Sequence, residues 1–147
     1  MTSIRLDSRA LAVPVLVAAA LAFTAPALRA QATGSPVGLW KNIDDESKKP
    51  KALIRVSEKD GVISGRIEKI LTEKTDAVCD KCTDSRKDKP VQGMTIVEGI
   101  RRNAEQADLF DGGHILDPNN GKVYRSQMRL TEGGKKLEVR GLSLIHI

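Results

Sequence analysis

Aromatic side chains are scarce in this chain of 147 residues: two Phe, one Trp and one Tyr. Phe23 falls in an N-terminal apolar run, so the rest of the chain holds only Trp40, Phe110 and Tyr124. A stacking platform for single-stranded nucleic acid needs more rings than that. Histidine is limited to His114 and His146, and the only two cysteines, Cys79 and Cys82, sit side by side in one stretch. Structural zinc takes four ligands, ordinarily from two such cysteine pairs. One pair and one histidine outside the tail, His114, fall short, even with oxygen lent by Asp80 and Asp84. Covalent haem would need His after the second cysteine, where Thr83 stands. Gly-x-Ser-x-Gly, His-Glu-x-x-His and a phosphate-cradling glycine loop are all missing. No metal, cofactor or catalytic residue is therefore expected.

Charge of neither sign dominates. The chain has 24 Lys and Arg against 19 Asp and Glu, for a net of +5. The signs are interleaved, so no basic stripe offers itself to a polyanion, and no nucleic-acid partner is expected.

What is present begins with a leader. Arg5 and Arg9 precede an uncharged apolar run of 14 residues, Ala10 to Phe23. Ala30-Gln31-Ala32 follows as a small-x-small cleavage site, with Ala25-Pro26-Ala27 as the second option. This is the layout of a secretory signal peptide over residues 1–32. The run is shorter than the roughly 20 residues of a spanning helix, and Pro14 interrupts it. No membrane span is expected after cleavage, and no lipidation cysteine follows. Setting aside the leader's three Arg and one Asp leaves 21 basic and 18 acidic residues, a net of +3. The expected location is the periplasm or the medium outside the cell.

From Gly34 onward, period-two patterns alternate with turn signals. Strands are expected at Gly38–Ile43, Lys51–Glu58, Val62–Leu71, Met94–Arg101, Gly113–Leu116, Lys122–Leu130 and around Leu137–Val139. Asp60-Gly61 and Asn120-Gly121 are hairpin and turn chemistry. Gly65 marks a bend or bulge. No amphipathic helix interrupts the series. The fold class is all-β, an antiparallel up-and-down meander that closes as a barrel or packs as a sandwich. Thr72 to Gln92 is 21 residues of polar connection, too long to idle in a compact domain. Asn103 to Gly112 reads as a second polar excursion.

Three motifs stand out. Cys79-Asp80-Lys81-Cys82 fits a structural disulfide in an oxidising compartment, closing a small loop and pinning the long connection. A redox pair would need a helix starting at the cysteines, and the residues that follow have no apolar periodicity. A redox or metal role therefore ranks well behind. Gly38-Leu39-Trp40 is similar to the opening motif of the lipocalin-like, or calycin, barrels. That resemblance implies a tryptophan plugging one end, with an arginine from the last strand over it. Arg140 is the candidate here, or a partner in a strand beyond it. His114 and Asp117, three residues apart at a strand end, face opposite sides. Asp117 before Pro118 is turn chemistry, so they do not form an acid–base pair.

These motifs occur in one order with Arg86 to Gly93, Gly113 to Tyr124 and Leu137-Glu138-Val139-Arg140-Gly141. Over Pro36 to Gly141 the chain resembles the DUF2147 family of bacterial exported proteins. The resemblance implies a lipocalin-like barrel over residues 33–141 and leaves the function open. Where the family continues into another glycine-rich and aromatic strand, this chain reads Leu142-Ser143-Leu144-Ile145-His146-Ile147. Residues 142–147 are expected to be a non-native tail, with the last strand of an eight-stranded barrel lacking.

Two functions follow as expectations, neither enzymatic. The first is binding of a small apolar or amphipathic ligand in the barrel. The second is a structural or protein-interaction role in the cell envelope through the Thr72–Gln92 loop.

Overall fold

The computed structural model describes residues 34–142. The expected leader and residues 143–147 of the tail lie outside them. Seven strands form one sheet in sequence order: β1 (Gly38–Ile43), β2 (Pro50–Lys59), β3 (Val62–Ile70), β4 (Thr95–Arg102), β5 (Leu109–Asp117), β6 (Lys122–Thr131) and β7 (Lys136–Leu142). Every neighbour pair is antiparallel. The meander curls into a nearly closed barrel. Among the described residues β1 and β7 share no ladder, and the seam between them is unsealed. Among the described residues no helix is long and apolar enough to cross a membrane.

The alternation read from the sequence sets the inner face. Ala52, Ile54 and Val56 on β2 point inward, as do Ile63, Gly65 and Ile67 on β3 and Ser126, Met128 and Leu130 on β6. Outward positions pair in water, for example Arg55 with Glu68 at 2.7 Å. Asp60-Gly61 turns β2 into β3 with both residues at positive φ, +53° and +74°, the twist a two-residue hairpin requires. Gly65 lies where the register of β3 on β4 shifts.

β5 differs from the expectation. It starts at Leu109, four residues before the expected Gly113, and takes in the end of the supposed polar excursion. The expected boundary between Gly112 and Gly113 is a bulge inside the strand. Gly112 has φ +81°, and the register on β6 shifts between Phe110 and Gly113. The strand bends there without ending, and the bend carries Leu109 and Phe110 into the core.

One end of the barrel is filled. Phe110, Ile63, Ile100 and Met128 are fully buried. The segment before β1 straps across this end. Pro36 is buried, and the Trp40 indole N–H donates to its carbonyl at 2.7 Å. Arg102 donates to the Gly34 carbonyl at 3.0 Å and lies 4.6 Å over the Phe110 ring.

Gly113 is packed too closely for any side chain. A Cβ there would sit 2.3 Å from the Glu98 carbonyl oxygen and 2.5 Å from Ile100 Cγ1. Gly113→Ala is expected to lower the unfolding free energy by about 2–3 kcal/mol, read from urea denaturation of the purified protein.

Candidate functional site

The opposite end is hollow. A cavity of about 680 Å³ opens where β3 leaves the sheet, within the size range of sites for small molecules. Its walls come from the strand ends: Ala52 and Ile54 from β2, Ile67 and Ile70 from β3, Ile96 from β4, Ile115 and Leu116 from β5. Tyr124 of β6 and Gly141 of β7 complete the circuit toward the seam, where Asn42 of β1 faces them. Gly113, Ser126 and Gly141 stand side by side across β5, β6 and β7. Of that row only Gly141 borders the cavity, and the space beside Gly113 is taken by Glu98 and Ile100.

The mouth is made by the long connection and the β5–β6 hairpin. Lys74, Ala77, Val78, Asp80, Lys81 and Val91 approach from the loop, and Asp117, Pro118 and Asn119 from the hairpin. The loop has a frame of its own. Val78 bridges to Pro90, the Cys79 amide donates to the Lys89 carbonyl at 2.9 Å, and the Val91 amide donates to the Ala77 carbonyl at 2.8 Å. Cys79 and Cys82 are joined as a disulfide, with Cα atoms 5.4 Å apart. Both are buried, at 0% and 2% exposure.

The disulfide turn rests directly on the hairpin. A Cβ on Gly121 would lie 1.9 Å from the Lys81 carbonyl oxygen, so two backbones meet there with no side chain between them. The Cys79 sulfur lies 3.7 Å from the Pro118 carbonyl oxygen. A disulfide sulfur carries no hydrogen, so this is packing. Gly121 also has φ +71°, and its amide closes the hairpin on the Asp117 carbonyl at 2.8 Å. Asp117 caps the same turn through its carboxylate, which accepts from the Asn119 amide at 2.9 Å and from the Asn120 side chain at 2.9 Å. Its neighbour in the sequence reading, His114, is exposed on the outer face.

Ion pairs hold the outer edge. Arg86 grips both oxygens of Asp84, donating from Nε to Oδ1 at 3.1 Å and from Nη2 to Oδ2 at 2.5 Å, and donates to the Thr95 carbonyl at 3.3 Å, tying the loop to β4. Its guanidinium, then the Arg86 amide, holds the Asp84 carboxyl below the usual carboxylate range. Lys51 pairs with Asp44 across the β1–β2 turn. That ammonium, then the Ser47 amide, holds the Asp44 carboxyl well below its ordinary value. Among the described residues no carboxylate lies within ion-pair distance of Lys74 or Lys81, so the mouth keeps two lysines without a fixed partner.

The residues singled out from the sequence divide between the two ends. The cysteines sit under the mouth, while Gly38 and Trp40 belong to the strapped end. Arg140, on β7, is 71% exposed in its side chain and lies 3.6 Å from Glu138. The cavity walls were not named from the sequence. Alternation identifies them as inward but does not say which end stays open.

The family of uncharacterized proteins conserved in bacteria known as DUF2147 matches residues 38–147. The chain belongs to this family. A solved structure described as "Protein HP1028 from the human pathogen Helicobacter pylori belongs to the lipocalin family" is similar, with a TM-score of 0.61. The likeness covers 72% of this chain and 70% of that one at 12% identity, and it establishes the lipocalin-like fold of this DUF2147 barrel. Among curated proteins no relative matches the chain.

Two outcomes follow for this family member. The Cys79→Ala/Cys82→Ala variant is expected to lose about 2 kcal/mol of stability in urea, with faster amide exchange at Val91. Asp44 and Asp84 take up protons more readily unfolded than folded. Their contribution is complete above the ordinary carboxylate pKa of about 4 and is lost as pH falls through their lower folded values. The melting temperature is expected to hold level from about pH 7 to 5 and to drop below about 4. Asp44→Asn and Asp84→Asn should each make that drop shallower in circular dichroism melts.

Proposed function

We propose that this protein is an exported, non-enzymatic carrier that holds one small apolar or amphipathic molecule in the open end of its barrel. The observation that carries the reading is the cavity of about 680 Å³. Its walls are isoleucines from four strands, and its mouth is polar. Isoleucine walls gain from displacing water with apolar groups, at about 25 cal/mol per Å². The polar mouth suits a ligand with one wet end. The lipocalin-like fold is compatible with such a site.

Export is supported by the signal-peptide pattern in residues 1–32. A buried Cys79–Cys82 disulfide supports an oxidising compartment. The alternative contact surface for an envelope partner, the Thr72–Gln92 loop, commits its apolar residues Ala77 and Val91 to the cavity. That use of the loop favours a rim over a docking surface.

The test is uptake of the uncharged fluorescent probe N-phenyl-1-naphthylamine by the purified protein. Saturable enhancement is expected. Ala77→Trp places an indole in the mouth without touching the packed end, and is expected to weaken uptake about tenfold or more. Absence of saturable uptake by the wild-type protein would sink the carrier reading.

A further inference from the structure

Immediately outside the cavity, on the side of β6, lies a second depression of about 650 Å³. Lys81, Lys122 and Arg125 line it, and no carboxylate does. Among the described residues none of the three has an ion-pair partner. In a chain whose charges otherwise interleave, three unpaired cations around one concavity are a local excess that would take an anion. The nearby acid, Asp117, faces the neighbouring cavity, and the turn holds its carboxylate with the hydrogen bonds from Asn119 and Asn120. Asp80 also lines that cavity and not this depression.

Lys81 and Tyr124 border both concavities and form the lip between them. The Tyr124 hydroxyl accepts a hydrogen bond from the Asn120 side chain at 3.0 Å. Its own proton is therefore left to donate across the lip. Thus an apolar chamber and a cationic cleft adjoin, with one amphipathic residue and one lysine between them.

We infer that the ligand is an amphiphile with an anionic head, a carboxylate or phosphate. Its hydrocarbon chain lies among Ile54, Ile67 and Ile115, and its head crosses the Tyr124 lip to Lys81, Lys122 and Arg125. This rests on the carrier reading and adds to it a chemical class and a head-group site. The cations are exposed, so each contributes modestly. Their combined effect is a preference among heads of several-fold, weakened by salt.

The test is displacement of N-phenyl-1-naphthylamine from the full-length protein by four single-chain compounds below their micelle concentrations. They are dodecyl phosphate, dodecanoate, dodecanol and dodecyltrimethylammonium. The two anions are expected to displace at concentrations about fivefold or more lower than dodecanol and the cation. Lys122→Gln/Arg125→Gln, at two exposed positions, is expected to bring the ratio of dodecanol to dodecyl phosphate toward one. Circular dichroism checks that the variant is folded. Normal probe uptake with equal displacement by all four would overturn the anionic class and leave the carrier reading standing. Inorganic phosphate binding as tightly as dodecyl phosphate would also overturn it, assigning the cleft to free anions. If the wild type takes up no probe, the carrier reading fails and takes this inference with it.

Discussion

The whole open end of this barrel depends on one contact between backbones, where Gly121 of the β5–β6 hairpin meets the Lys81 carbonyl of the disulfide turn. No side chain fits between them. The hairpin therefore sets how far the long connection can descend, and the disulfide sets the shape of the piece that descends. With that contact made, the loop stands over the strand ends and leaves a chamber beneath. Were the loop to sink further, Ala77 and Val91 would fill the space above Ile67 and Ile96. Were it to lift away, those isoleucines would face water.

The other end obeys a different constraint. A small barrel is about wide enough for its own side chains to fill it, and around Phe110 this one is filled. Ile63, Ile100 and Met128 close on the ring, and the strap from Gly34 to Val37 covers them. Dense packing at one end and a loop held off the strand ends at the other give the molecule a floor and a chamber from a single sheet. The floor provides rigidity. It costs about as much to disturb as any well-packed core, and it frees the upper strand ends to be lined without being filled.

Much of this architecture was legible beforehand. Alternation along Ala52–Val56, Ile63–Ile67 and Tyr124–Leu130 named both the strands and their inner faces, because a pleated strand sends successive side chains to opposite sides. Asp60-Gly61 marked its hairpin, since few other residue pairs accept two positive φ angles. Cys79 and Cys82, three residues apart, could bridge locally whatever the rest of the chain did. The reading failed at Gly112-Gly113. A glycine pair ends a strand or bends it, and only the presence of β4 and β6 on both sides decides between the two. Leu109 and Phe110 were hidden behind that ambiguity.

The functional geometry was illegible for the same kind of reason. Lys81, Lys122 and Arg125 look like ordinary solvated charges, because more than forty residues separate the first from the others. Nothing local says that they share a concavity free of carboxylates. Tyr124 reads as one more inward residue of a half-buried strand. The sequence by itself determined the all-β meander, its turns, its inner faces and the disulfide, since each rests on residues a few positions apart. Only the tertiary structure decided which end was packed and which was hollow. That choice depends on how a loop, a hairpin and seven strand ends share one space, and no local pattern encodes it.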